Sequence, residues 1–251
     1  MDWTVSYRPG SRFGPNKIRE VSIGLEEYSP YLDRELHEVK FFDAGDIPLP
    51  FGNPEKSLLE IETYVHTLLK DNKIPMGMGG EHLVSLPVMK AVASKYDDLA
   101  IIHFDAHTDL RENYEGEEYS HSTPIRKIAD HIGPKNVYSF GIRSGMKEEF
   151  EWAKEQGMHL YKFEVLEPLK QVLPTLEGRP VYITIDMDVL EEPVAEHTLH
   201  GFSEELLRGR RRKNHAPLLV VMRDHVVHMF CQHPVQASNT PASRQGLTRG
   251  L

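Results

Sequence analysis

Cysteine is almost absent from this sequence, and so are other features that define whole classes of protein. Cys231 is the only cysteine among 251 residues, so neither an intrachain disulfide nor a cysteine-based zinc site can form. No run approaches the roughly 18 uncharged apolar residues of a membrane span, and residues 1–4 lack the character of a signal peptide. The net charge of −9 provides no overall basic surface for nucleic acid. We therefore expect a cytoplasmic protein with neither a membrane nor a nucleic-acid partner.

Nucleotide chemistry also has no support, because no glycine-rich segment matches a Walker or dinucleotide-binding motif. The composition is otherwise ordinary, with 39% hydrophobic, 27% charged and 9% aromatic residues. These proportions are those of a folded globular chain and exclude disorder throughout.

Apolar runs and segments of helical periodicity alternate through the first 190 residues. Short apolar runs predict strands at 39–42, 74–78, 99–104, 137–140, 159–163 and 181–185. Apolar residues at helical spacing predict helices over 54–71, 83–96 and 146–156. This alternation is typical of an α/β fold in which helices cover the faces of a parallel sheet.

Three residues of metal-ligand type follow the most apolar of these runs. The run 99–104 is typical of a buried parallel strand, and Asp105, His107 and Asp109 come directly after it. Ligands bind at the carboxyl edge of the sheet in α/β folds. Side chains two residues apart share a face of an extended chain, so we expect these three to converge on one point. A solvated polar strand end is the alternative for each residue taken alone.

Two further strand ends carry the same residue types. Asp186 and Asp188 follow the last predicted strand, and His82 follows the second strand through two glycines that allow tight turning. Four clustered carboxylates would repel one another, whereas two divalent cations would balance their charge and leave water between them as the nucleophile. An oxygen-rich ligand set with two imidazoles and no thiolate favours Mn²⁺ over Zn²⁺.

These motifs resemble those of the ureohydrolases, the family of arginases and agmatinases, and most closely the bacterial agmatinases. The resemblance is carried by Gly79-Gly80-Glu81-His82, Asp105-Ala106-His107-Thr108-Asp109, Ser120-His121-Ser122-Thr123-Pro124 and Asp186-Met187-Asp188. Residues 7–15 and 24–30 also resemble the agmatinase branch, and the likeness extends in order from residue 2 to about residue 190. It implies an arginase-like three-layer α/β sandwich with a mainly parallel central sheet.

The resemblance also implies a ligand set and a reaction. One Mn²⁺ would be held by His82, Asp105, Asp109 and Asp186. The second would be held by His107, Asp105, Asp186 and Asp188, so that Asp105 and Asp186 bridge the pair. Asp109 would orient the attacking hydroxide, and His121 would protonate the amine leaving group, with a surface loop histidine as its alternative. Residues 109–114 replace the segment with which arginases hold an α-carboxylate, which points to agmatine as substrate and to putrescine and urea as products.

The resemblance fades soon after Asp188. Family members later place a glutamate at the end of a strand to pair with the substrate guanidinium, and no matching Leu-Val-Glu segment occurs here. Residues 217–222 have the composition of a strand but lead into Arg223, with Asp224 as a conceivable stand-in for the glutamate. Family members also have a strand before the position of Met1. We therefore expect a sheet that is incomplete at both ends.

The composition changes where the resemblance fades. Residues 1–190 hold 21 Lys/Arg and 32 Asp/Glu, a net charge of −11, whereas residues 191–251 hold 8 and 6, a net charge of +2. We expect residues 1–190 to form the ureohydrolase-like domain and residues 191–251 to be an atypical tail, unstructured or translated out of frame. His225, His228 and the basic run 208–213 are interpreted as parts of this tail and not as a metal or nucleic-acid site.

Three functional hypotheses follow. The first is an active agmatinase-type hydrolase with two Mn²⁺. The second is a metal-binding but catalytically impaired protein that lacks the substrate-anchoring glutamate. The third is a hydrolase of another guanidino compound, such as guanidinobutyrate. The resemblance also implies a homo-oligomer, an assembly that a foreign tail would block.

Overall fold

A six-stranded parallel sheet forms the centre of the computed structural model, which describes residues 1–6, 8–30 and 32–190, and the backbone of 218–223. The strands of this sheet are β3 (Gly77–Met78), β4 (Ala100–Phe104), β5 (Val137–Ile142), β6 (His159–Lys162), β7 (Val181–Asp186) and β8 (Leu218–Arg223). Their order is β3-β8-β7-β4-β5-β6, and every neighbouring pair is parallel. A separate two-stranded hairpin joins β1 (Tyr28–Ser29) and β2 (Arg34–Glu35).

Six α-helices lie in the described part of the chain. They are α1 (Gly14–Ser22), α2 (Pro54–Lys70), α3 (Ser85–Ala93), α4 (Pro124–Ile132), α5 (Lys147–Gln156) and α6 (Leu166–Val172). None of the described helices is long and apolar enough to cross a membrane.

Helix α2 shows how local sequence sets an element. The Asn53 side chain accepts a hydrogen bond of 2.9 Å from the backbone N–H of Lys56, and Pro54 occupies the first helical position, where its missing N–H costs nothing. Leu58, Ile61 and Val65 recur at helical spacing and are buried. The cap therefore fixes where the helix begins, and the apolar stripe fixes which face packs against α3 in the core.

The two faces of the sheet bury different residues because side chains alternate along each strand. On one face, Ile101 of β4 belongs to a core shared with α2, α3 and α4. On the other face, Ile102 and Phe104 belong to a second core with Leu169 of α6. The chain is therefore an α/β protein with three layers, which confirms the predicted fold class.

The sequence predicted the central strands well and the edge poorly. Strand β4 begins one residue later than expected, whereas only two residues of the predicted strand 74–78 pair. Residues 39–42 are not a strand, so that prediction is wrong, and Phe42 is 88% exposed. A strand forms only where a neighbouring strand offers backbone groups for pairing. None of the described strands pairs with residues 39–42. Strand β8 forms where residues 217–222 had the composition of a strand.

Candidate metal centre

Strand register brings the first two carboxylates together. Phe104 of β4 pairs with Ile185 of β7, so Asp105 and Asp186 follow at the same level on neighbouring strands. Both aspartates are fully buried. The chain turns after β7, where the backbone N–H of Asp188 donates to Oδ1 of Asp186 at 3.2 Å. This turn adds a third carboxylate at the carboxyl edge of the sheet.

His82 reaches these carboxylates from the short helix that follows β3. Its Nδ1 lies 2.9 Å from Oδ2 of Asp109, 3.0 Å from Oδ2 of Asp105 and 3.9 Å from Oδ2 of Asp186. Its Nε2 lies 3.0 Å from Oγ1 of Thr184. When Nε2 donates to this hydroxyl, the Nδ1 lone pair faces the three carboxylates and is available to a metal.

His107 completes the cluster on its open side. Its Nδ1 lies 3.0 Å from Oδ2 of Asp188 and 3.5 Å from Oδ1 of Asp105. The His107 side chain is 46% exposed and that of Asp188 is 25% exposed, whereas His82 on the inner side is buried. The cluster therefore has a closed inner side and an outer side that opens to solvent, with Asp105 between them.

Asp109 joins the cluster through a turn and not through an extended chain. Strand β4 ends at Phe104, after which the N–H of Thr108 donates to the Ser144 carbonyl at 3.1 Å. Asp109 itself has a φ of 48°, in the left-handed region that aspartate tolerates better than most residues. Asp109 thus faces His82 on the buried side of Asp105, whereas His107 lies on the open side. The expected alternation of an extended strand is not what places these residues, and their convergence on one point stays a prediction.

The carboxylates raise the pKa of both imidazoles. Burial alone would lower the pKa of His82, but hydrogen bonds to Asp105 and Asp109 outweigh it and raise this pKa to about 10. Hydrogen bonds to Asp105 and Asp188 raise the pKa of His107 to about 11. Burial would raise the pKa of Asp105, yet the surrounding imidazoles hold it well below its usual range. The centre therefore favours positive charge beside its carboxylates.

The donor set fits two divalent cations. Ligand atoms of Asp105, His107 and Asp188 all lie within 4.8 Å of one another, and those of His82, His103 and Asp105 do the same. These two groups share Asp105, as a bridged pair of ions requires, while the predicted ligands Asp109 and Asp186 belong to neither group. Carboxylate oxygens and imidazole nitrogens suit hard or borderline divalent ions, which bind once the imidazoles release their protons.

His103 is a member of the cluster that the sequence reasoning missed. Its Nε2 lies 2.9 Å from Oδ2 of Asp105, and its Nδ1 lies 2.9 Å from Oγ of Ser139 on β5. His103 is fully buried. One signal was available, since a histidine inside the apolar strand, two residues before Asp105, shares the face of that aspartate.

A cavity of about 900 Å³ adjoins the open side of the cluster. His107, Asp109 and His121 line it, so the predicted proton-transfer histidine faces the same space as two of the predicted metal ligands. Nδ1 of His121 lies 2.7 Å from the Thr4 carbonyl oxygen, and the Tyr114 ring lies 5.4 Å from the imidazole.

Glu149 lines the cavity and is another residue that the sequence reasoning missed. It is buried and accepts hydrogen bonds from Oγ1 of Thr108 at 2.8 Å, from the N–H of Leu110 at 3.0 Å and from the N–H of Met146 at 2.6 Å. These bonds tie the segment that carries Asp109 to the start of α5. Nothing in its local sequence distinguished Glu149 from its acidic neighbours.

The remaining predicted residues lie outside the described part of the chain. These are Asp224, the histidines at 225 and 228, and the basic run 208–213. The expectations about the tail therefore stay predictions.

A parallel α/β sheet with this cluster at its carboxyl edge, opening into a cavity, has the arrangement of a candidate metal centre. The sequence profile of the arginase family matches residues 1–198. Agmatinases of Bacillus anthracis and Bacillus subtilis strain 168 are 77% and 76% identical over 198 residues, which is 79% of this chain and 68% of each relative. The chain belongs to the arginase family and is a hydrolase of the ureohydrolase type.

A solved structure agrees with this assignment. The agmatine ureohydrolase of Thermoplasma volcanium matches with a TM-score of 0.68 at 31% identity, covering 74% of this chain and 64% of that one. Arginase-family proteins bind a binuclear metal site, and the His/Asp cluster described above has the composition for one. The family profile does not extend into residues 199–251, as the loss of resemblance near residue 190 predicted.

Proposed function

We propose that this chain hydrolyses agmatine to putrescine and urea with two Mn²⁺. The observation that carries the proposal is the pair of ligand groups that share the buried carboxylate of Asp105 and open into a cavity. The high identity to two bacterial agmatinases supports the choice of substrate.

The proposed ligands divide into two overlapping sets. One ion would be held by His82, Asp105, Asp109 and Asp186. The other would be held by Asp105, His107, Asp186 and Asp188. Two bound divalent ions would act as Lewis acids and lower the pKa of water from 15.7 towards about 7. Mn²⁺ is proposed because oxygen ligands outnumber imidazoles and no thiolate is present in the set.

The protein's own residues supply orientation and proton transfer. Asp109 faces the cavity with a carboxylate that can orient the attacking water through a hydrogen bond. His121 can protonate the departing amine, because its Nδ1 donates to the Thr4 carbonyl and its Nε2, which lies 3.3 Å from Oγ of Ser6, can exchange a proton. If His121 has this role, His121→Ala should lower turnover about 10² to 10⁴-fold with unchanged metal content.

One observation favours a second candidate substrate class. Arg8, Lys17 and Arg111 line the cavity, and the Arg111 guanidinium lies 4.9 Å from the centre of the Tyr114 ring. Agmatine carries a second cation at its far end, which these residues would repel. Guanidinobutyrate carries a carboxylate there, which they would attract.

Comparing substrates distinguishes these candidates. Urea release is measured from agmatine, guanidinobutyrate and arginine, with the full chain in Mn²⁺ and with the chain treated with a chelator. The proposal predicts the highest kcat/KM for agmatine and no urea after chelation. A higher kcat/KM for guanidinobutyrate would support the second candidate, and urea from none of the three would support a catalytically impaired protein.

The proposed reaction also suggests a cellular context. Putrescine is a diamine, so the reaction would serve putrescine and polyamine biosynthesis, and we propose a cytoplasmic location. A homo-oligomer is proposed from the family resemblance. Light scattering of the full chain in solution measures its mass and tests whether it forms a homo-oligomer.

A further inference from the structure

Residues 1–6, here called the amino-terminal strap, run alongside the segment that leads into the proposed metal ligand His82. The Glu81 N–H donates to the Met1 carbonyl at 2.9 Å. A Cβ at Gly80 would lie 1.7 Å from the same carbonyl oxygen, so only glycine allows this approach. Gly80 therefore serves the strap as well as the turn.

A buried carboxylate fixes the middle of the strap. The Glu81 side chain is fully buried and accepts a hydrogen bond of 3.1 Å from the N–H of Thr4 and a second from Oγ1 of Thr4. The proposed metal set does not include Glu81. A buried carboxylate whose two oxygens both bind one residue is a specific anchor, because a carboxylate without donors is costly to bury.

The strap has a second, separate anchor. Asp2 is buried, and its Oδ2 accepts a hydrogen bond of 2.7 Å from the N–H of Gly10 and lies 3.3 Å from Nε of Arg12. A side-chain substitution at Thr4 therefore removes the hydroxyl bond to Glu81 and leaves both the Thr4 N–H bond to Glu81 and this second anchor in place.

The strap in turn contacts the histidine proposed to transfer protons. The Thr4 carbonyl accepts from Nδ1 of His121 at 2.7 Å, and Oγ of Ser120 lies 3.1 Å from the same nitrogen, where it can accept as well. Oγ of Ser6 lies 3.3 Å from Nε2. A hydrogen bond on one ring nitrogen decides which nitrogen carries the proton in neutral imidazole. Thr4 thus favours the tautomer with hydrogen on Nδ1, which leaves a lone pair on Nε2.

We infer that Glu81 and Thr4 are positioning residues that hold His121 in the orientation and tautomer needed for proton transfer. This role rests on the proposed function. The contacts run from Glu81 through Thr4 to the imidazole of His121, which lies 117 residues from Thr4 in the sequence. Neither residue touches the reacting atoms, so their substitution should change turnover and leave the metal set in place.

The tautomer of His121 is measured by long-range proton–nitrogen NMR on the full chain, metal-free and labelled with ¹⁵N-histidine, at alkaline pH. The His121 signals are those missing from His121→Asn. The parent should show hydrogen on Nδ1, whereas Thr4→Val and Glu81→Leu should move it towards Nε2, the site that a solvated imidazole prefers. Glu81→Gln should retain the parent tautomer, because the Thr4 hydroxyl can accept from an amide as well as donate to a carboxylate. Thr63→Val, at an exposed position on α2, is the matched control.

Two results would overturn the inference. One is hydrogen on Nε2 of His121 in the parent, and the other is a parent-like tautomer in both Thr4→Val and Glu81→Leu. If Glu81→Leu does not fold, Thr4→Val decides alone.

Kinetics of the Mn²⁺-loaded chains complete the test. With agmatine, Thr4→Val and Glu81→Leu should lower kcat about 10²-fold, with KM and metal content near those of the parent, and Glu81→Gln should recover most of the loss. A loss of metal that accounts for the fall in kcat would contradict a positioning role. If the parent releases no urea, the proposed function fails, while the tautomer spectra still decide the role of the strap.

Discussion

At the scale of single residues, Asp105 is the carboxylate that faces three imidazoles of the centre. One of its oxygens lies 3.0 Å from Nδ1 of His82 and 2.9 Å from Nε2 of His103, and the other lies 3.5 Å from Nδ1 of His107. The Asp105 carboxylate therefore joins the buried side of the cluster to the open side. The place of Asp105 at the carboxyl edge of the sheet was predictable from sequence, because this residue directly follows the apolar run of β4.

Asp105→Ala should abolish binding of both ions, because each proposed ligand set contains this residue. We expect about two Mn²⁺ per parent chain after dialysis and none in the variant, measured by elemental analysis. Asp98→Ala is the matched control, since the Asp98 side chain is 69% exposed and lies outside the cluster. Two ions retained by Asp105→Ala would show that the bridge is assigned wrongly.

His103→Asn should weaken Mn²⁺ binding about 10- to 100-fold, the usual cost of losing a partner that orients a metal ligand. Asparagine is too short to span from Asp105 to Ser139, so the shared carboxylate loses a hydrogen bond in a buried place. Competition with a chelating indicator measures the affinity, and His131→Asn at an exposed position on α4 is the control. Equal affinities in the two variants would contradict the role.

At the scale of elements, sequence patterns predicted what depends on local residues and missed what depends on distant ones. The apolar run of β4 and the capped stripe of α2 were visible because each is set by neighbours in the chain. Residues 39–42 were also predicted as a strand, but whether a segment forms a strand depends on a second segment with which it can pair. The contact of Thr4 with His121 spans 117 residues and leaves no periodic signal. The three motifs of the metal centre were predictable because parallel strands bring their carboxyl ends to one edge.

Asn53→Ala should lower the free energy of unfolding by about 1 kcal/mol, because the first turn of α2 loses its side-chain cap. For a chain of this size the expected fall in Tm is about 2 to 4 °C. Thermal unfolding followed by circular dichroism measures it. Asn53→Asp retains a capping oxygen and should unfold near the parent temperature. An equal fall in both variants would show that the cap is not the cause.

At the scale of the whole molecule, the arginase-family part carries the proposed metal ligands, and the family profile does not extend into residues 199–251. Strand β8 nevertheless lies in the sheet between β3 and β7, and its last residue, Arg223, pairs in register with Asp186. The family resemblance implies a glutamate after such a strand, and no matching Leu-Val-Glu segment occurs here. The part of the chain after residue 190 is therefore where activity is expected to depart from that of the relatives.

Replacing residues 191–251 by a family-like end should raise kcat/KM for agmatine. The anchoring glutamate would regain its charge pair with the guanidinium, and loss of one partner of such a pair costs about 2 to 5 kcal/mol. At about 1.4 kcal/mol per tenfold, the expected gain is about 30-fold to several thousand-fold. Parallel assays of urea release compare the two chains. Equal activity would mean that the present tail, Asp224 in particular, already supplies the anchor.

The most direct measurement is a titration of Mn²⁺ into the metal-free full chain, with bound metal and urea release from agmatine followed in the same samples. The proposed centre predicts that urea appears as binding approaches two ions per chain, with one putrescine formed for each urea, and that Asp105→Ala shows neither binding nor urea. Urea release that is independent of added metal, or that persists in Asp105→Ala, would contradict the proposal that the activity comes from two metal ions that share the Asp105 carboxylate.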